Sequence, residues 1–184
     1  MENTNIRSFS KMTTRDLVLN SLLIAIVFVA TFMIKFHLPV SINDGGLVHM
    51  GTAALVAISI VFGKHRGAIA GGLGMFLFDV TSPFYMWAPF TLVIRFVMGY
   101  TIGTIAYANG KKGENMFYNI IAILISGVWM VAGYFCTNLI LHHSWVGAVS
   151  SIYGDVLQVG IGLFIGLPLA MILKQVFKKS NFKF

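Results

Sequence analysis

The sequence predicts an all-α integral membrane protein: one bundle of six transmembrane helices over residues 1–184, with both termini in the cytoplasm. Three observations predict it. Of 184 residues, 57% are hydrophobic before the 19 glycines are counted and only 10% are charged, against about 45–50% apolar and about 25% charged in a soluble domain. Six apolar runs follow one another along the chain, and at about 20 residues per crossing they use most of it. Eleven of the 13 lysines and arginines fall in segments that six crossings place on one side. A water-soluble globule is excluded, and no length remains for a separate soluble domain.

The first span, about 17–36, follows a basic head with Arg7, Lys11 and Arg15. Its layout resembles a signal peptide, but the run is too long for a typical signal core and continues into Lys35-Phe36-His37 with no small-residue cleavage site. A loop through Pro39 and Asn43-Asp44-Gly45-Gly46 leads to the second span, about 47–62, which ends at Gly63-Lys64-His65-Arg66. The third, about 67–80, is interrupted by Gly67, Gly71, Gly72 and Gly74. These two are short for separate crossings, and one re-entrant hairpin is the alternative. A turn-rich stretch precedes the fourth span, about 90–108. The fifth, about 117–141, has no ionisable side chain except tyrosine and cysteine, and its 25 residues would reach about 37 Å as a helix. The sixth runs over about 153–173, before a tail with four lysines.

Charge sets the orientation. The head, the 63–66 turn, the 109–115 loop and the tail share one side, which the positive-inside rule assigns to the cytoplasm. A re-entrant hairpin would put Lys64 and Arg66 on the wrong side or in the bilayer. The net charge of +7 is thus a topology label, and nucleic acid is not an expected partner. The lone cysteine, Cys136, excludes a disulfide framework and a cysteine-based zinc cluster; no metal or cofactor is expected.

Polar side chains inside a bilayer are costly and are functional candidates by default. This topology puts Asp79 at the outer end of the third span, Arg95 about one and a half turns into the fourth, and Asp155 and Gln158 in the outer part of the sixth. His49 lies at the outer start of the second. Tyr134, Asn138 and His142, spaced i, i+4, i+8, share a face of the fifth. The expectation is a polar cavity open outward and closed below. An Asp79–Arg95 ion pair that merely joins two helices is the structural alternative. Tyr85, Trp87 and Trp145 fall where the interfacial aromatic belt belongs, and Trp87 and Trp145 are also candidates to stack on a ligand. Trp129 should pack, and His65 should be surface. Gly67-xxx-Gly71, Ala70-xxx-Gly74, Gly99-xxx-Gly103 and Gly162-xxx-Gly166 permit close helix contact.

No G-x-x-x-x-G-K-[ST] occurs, since Gly110-Lys-Lys-Gly lacks the spacing, and neither H-E-x-x-H nor G-x-S-x-G is present. A small protein with an outward pocket and no energy source needs a partner to drive uptake. An intramembrane enzyme built on His49, Asp79 and Asp155 around a lipid headgroup is the rival, but the set is sparse.

In its stretches Leu47 to Gly51, Val61 to Gly74, Phe78-Asp79, Trp87 to Arg95 and Gly99-xxx-Gly103, the sequence resembles the S components of energy-coupling factor (ECF) vitamin transporters, in particular their riboflavin-type branch. The resemblance covers nearly the whole chain. It implies a non-enzymatic, substrate-binding subunit in a prokaryotic plasma membrane. Its pocket would be covered by the loop after the first helix, here about His37 to Gly46 and including Asn43. It implies as partners a membrane T component and two ATP-binding ATPase subunits, with Ser21-xxx-Ala25 at the place of the small-residue motif that meets the T component. Serine in place of alanine loosens that match. At Arg95 the family pattern more often has lysine, and a guanidinium is a planar fork suited to paired acceptors. The pocket candidates favour pyridoxine or a related vitamer, with hydroxymethylpyrimidine next. Riboflavin, thiamin and folate stay open.

Overall fold

The computed structural model describes residues 13–37 and 46–180. Asn43 and most of the loop expected to cover the pocket, about 38–45, lie outside the described residues.

Helix α1, Thr14–Met33, starts three residues before the apolar run because Thr13 caps it. The Thr13 hydroxyl accepts from the Asp16 amide at 3.2 Å, and the Asp16 carboxylate accepts from the Thr13 amide at 3.3 Å, which satisfies two of the amides a helix start leaves open. The same carboxylate meets Arg66 at 2.9 Å. Lys35-Phe36-His37, expected to continue the helix, instead forms strand β1 (Lys35–His37). It pairs antiparallel with β2 (Leu47–His49), Lys35 opposite His49 and His37 opposite Leu47. The apolar run 47–62 is therefore divided between β2 and helix α2, Gly51–Phe62.

Helix α2 is buried from Gly51 through Val61, as a helix that is apolar all round should be. Gly63, at φ 85°, turns the chain straight into α3, Lys64–Val80; a side chain there would be strained. A 3₁₀ turn at Tyr85–Trp87 leads into α4, Ala88–Ala106, with Pro89 in its first turn, where the missing amide costs nothing. α5, Met116–His142, is capped by Asn115 and ends at left-handed His143. Ser144 at once caps α6, Trp145–Ile161, by accepting from the Gly147 amide at 3.1 Å. That cap starts the last helix eight residues before its apolar run, and Trp145 becomes its first residue rather than part of a loop. The helix continues through one π turn, Gly162–Gly166, into α7, Leu167–Lys179. Pro168 cannot donate to the carbonyl four residues back, and the wider turn absorbs the defect, with the Leu167 amide bonding Gly162.

The fold is thus a helical bundle with one two-stranded ribbon. Among the described residues, four helical stretches are long and apolar enough to cross a membrane: Thr14–Met33, Tyr85–Ala106, Met116–His142 and Trp145–Lys179. α2 and α3 are shorter. α2 sits in the middle, against α1, α3, α4, α6 and α7. α3 and α4 pack closely because a Cβ on Gly99 would lie 2.5 Å from the Gly67 carbonyl. Trp129 joins α5 to α4 by donating to the Ile94 carbonyl at 3.1 Å. The alternating helices bring Thr13, Gly63, the 107–115 connection and Lys179 to one end. They bring the ribbon, the 81–87 connection and the 143–144 junction to the other.

Candidate functional site

At the ribbon end a cavity of about 500 Å³, counting its open mouth, lies between α3, α4, α5 and α6. Its ionisable side chains are His49, Asp79, Arg95, Tyr134 and Asp155.

Arg95 lies at its base, 1% exposed. Its Nε donates to the Tyr134 hydroxyl at 3.0 Å and its Nη1 to the Thr52 hydroxyl at 3.1 Å. The Met130 sulfur approaches Nη1 at 2.9 Å and the Met98 sulfur at 3.6 Å, and both methionines are fully buried. Arg95 forms no ion pair with Asp79 or Asp155 among the described residues. The structural alternative of an Asp79–Arg95 pair is therefore not what forms: the guanidinium turns toward α2 and α5, where hydroxyl and thioether acceptors hold it. Tyr134 donates to the Thr91 hydroxyl at 3.3 Å, and Thr91 lies close to the Asp79 carboxyl in the same lining.

Gln158 ties three elements together. Its amide nitrogen donates to the Leu47 carbonyl at 2.9 Å, and its amide oxygen accepts from Thr52. It lines the cavity with both ends of the amide engaged. Asn138 donates to the Tyr134 carbonyl at 3.3 Å, leaving its oxygen free toward the cavity.

The aromatic wall is Phe78 and Phe84, stacked at 6.2 Å, with Trp87 6.2 Å from the Tyr134 ring. Trp87 is 8% exposed: it belongs to the wall and not to an interfacial belt, because the 3₁₀ turn folds it inward. Tyr85 beside it and Trp145 are well exposed. Trp145 packs on Phe135 at 5.7 Å, outside the lining. His142 also lies outside it, behind Trp87 with ring centroids 5.9 Å apart. Ser21 and Ala25 lie on the exposed face of α1, and Ser21 bonds back to the Leu17 carbonyl.

The structure therefore brings His49, Asp79, Trp87, Arg95, Tyr134, Asn138, Asp155 and Gln158 to one cavity. It adds Thr91 and Ser151 to the lining, and Thr52, outside the lining, holds Arg95 and Gln158 in place. Thr91 is one turn before Arg95 and Ser151 one turn before Asp155, a spacing that places each on its partner's face. Thr52 carries no such signal, since its partners are 43 and 106 residues away.

A bundle of apolar helices holding a polar, aromatic-walled cavity at one end is the architecture of a membrane protein with room for a small molecule. The model of the family described as ECF-type riboflavin transporter, S component, matches residues 11–175, and the chain belongs to that family, one of transport components and not of enzymes. A protein of Pyrococcus woesei named only by its place in the gap 3' region is 32% identical over 149 residues, 81% of this chain and 95% of that protein. The thiamine precursor transporter HmpT of Lactococcus lactis subsp. cremoris is 25% identical over 185 residues, 100% of this chain and 97% of that one. A solved structure of the S component of a bacterial ECF transporter shares the fold, with a TM-score of 0.54 and 20% identity over 90% of this chain and 94% of its own.

Proposed function

We propose that this chain captures hydroxymethylpyrimidine, or a close heteroaromatic vitamin precursor, from outside a prokaryotic cell for uptake driven by a T component and two ATPase subunits. The carrying observation is the cavity itself: buried polar atoms around a space that fits one small ring, with Trp87, Phe78 and Phe84 to stack on it. The residue types of the site alone favour pyridoxine. Full-length similarity to a thiamine precursor transporter moves hydroxymethylpyrimidine, the pyrimidine half of thiamin, ahead of it. Riboflavin is the second reading, favoured by the description of the matching family.

In this reading the chain crosses the plasma membrane six times with both termini in the cytoplasm, and α2 and α3 are crossings shortened by the ribbon above and Gly63 below. The cavity then opens outward. Asn138 and Asp155 bond the ring substituents, while Arg95 and Asp79 set the charge. Asn43 would reach the ligand from the covering loop, and His142 supports Trp87 from behind. Ser21 and Ala25 face the T component. The experiment is equilibrium titration of the purified protein with hydroxymethylpyrimidine, pyridoxine and riboflavin. The expected result is stoichiometric binding of the first without turnover, with about 2.7 kcal/mol of added stability at a hundredfold excess over Kd. Conversion of the compound without any partner would overturn the transport reading.

A further inference from the structure

Most donor groups of the cavity have a partner inside the protein: Arg95 Nε on Tyr134 and Nη1 on Thr52, Gln158 on Leu47, Asn138 on Tyr134, and Tyr134 on Thr91. Arg95 Nη2 and His49 Nδ1 have none among the described residues. The acid and amide oxygens are open as well. Asp79 Oδ2, Asn138 Oδ1 and Asp155 Oδ2 are buried with no partner, on residues 6%, 0% and 7% exposed. Thr91 lies close to Asp79, whereas no described residue donates a hydrogen bond to Asp155 or forms an ion pair with it. Buried acceptors left open cost stability unless something fills them, and a carboxyl accepts two parallel donors best.

We propose that Asp155 determines specificity by taking an amino-substituted nitrogen heterocycle through paired hydrogen bonds, one from the exocyclic amine and one from the protonated ring nitrogen beside it. The inference rests on the transport reading above and narrows its substrate. A cyclic amidine spaces its two donors as a carboxylate spaces its oxygens. A phosphate or carboxylate on the ligand brings no donor to Asp155, so the unphosphorylated amine binds more tightly than its phosphate ester.

The test titrates the purified full-length protein with hydroxymethylpyrimidine, an aminopyrimidine, with the analogue carrying a carbonyl in place of the amine, with the phosphate ester, and with riboflavin. Wild-type protein is expected to bind the amine at least about tenfold more tightly than the carbonyl analogue or the ester, the scale of a charge-assisted hydrogen bond. Asp155→Asn is expected to lose about tenfold for the amine and nothing for the carbonyl analogue, with a ligand-free melting temperature no lower than wild type. The ligand comparison in wild type needs no variant and decides even if Asp155→Asn fails to fold. Equal binding of amine and carbonyl forms, or unchanged amine affinity in Asp155→Asn, overturns the inference. Tight binding of riboflavin alone overturns it while leaving the transport reading intact, whereas binding of none overturns both.

Discussion

Arg95 gives its Nε hydrogen to the Tyr134 hydroxyl at 3.0 Å and not to the Asp79 carboxylate, although both residues line the same cavity. The tyrosine passes the contact on to Thr91, which lies close to the acid. Tyr134→Phe removes that contact and leaves a buried guanidinium hydrogen open. The expected cost is about 1–3 kcal/mol of stability, read by thermal unfolding in detergent, together with weaker ligand binding.

Arg95→Lys keeps the charge but not the fork. One ammonium cannot hold the separate directions to Tyr134 and Thr52 in the geometry of a guanidinium. The expected outcome is an affinity loss of about tenfold, the scale of one charged hydrogen bond, with the folded bundle retained. Titration calorimetry and melting temperature, measured on one preparation, check the two halves.

Gly154 on α6 packs against Gly46, the residue that leads into β2. A Cβ there would stand 2.5 Å from Gly46 Cα, so Gly154→Ala pushes the backbone leading into β2 away from the helix. Faster ligand release is expected, seen in stopped-flow dissociation, with little change in melting temperature, because the displaced segment lies at the bundle's edge.

Gly99→Ala acts on the fold alone. The added methyl meets the Gly67 carbonyl at 2.5 Å, which rigid backbone cannot absorb. A loss of about 1–3 kcal/mol is expected in thermal unfolding, with no change in which ligands are preferred.

Orientation is open to chemistry. After Cys136→Ser removes the exposed native thiol, a cysteine at Tyr85 should react with a membrane-impermeant maleimide in intact cells. One at Lys111 should react only after the cells are opened. The reverse pattern would invert the topology.

The helices and the site residues differed in how well the sequence displayed them. Asp79, Arg95, Asp155, Tyr134 and Asn138 stood out because ionisable and amide side chains are rare in apolar runs, and the alternation of helices then placed them at one end. The limits of the elements were less visible. Lys35-Phe36-His37 contains no helix breaker to end the preceding helix, and its pairing with Leu47-Val48-His49 makes it a strand. The start of α6 depends on the Ser144 cap, which hydropathy ignores. Trp87 and Trp145 looked alike, as aromatic residues near a helix end. A 3₁₀ turn buries the first, and the first turn of a helix exposes the second. The role of Thr52 was invisible, since it arises from contacts with Arg95 and Gln158 on other helices.

Mass spectrometry of small molecules retained by the protein, purified without a T component or ATPases, bears on whether this cavity alone captures a vitamin precursor. One unmodified heteroaromatic molecule per chain is expected, an aminopyrimidine when cells are supplied with it, and its retention should fall in Arg95→Lys and Asp155→Asn. Protein that carries nothing, and whose melting temperature none of the B vitamins or their precursors shifts, would refute capture by this cavity.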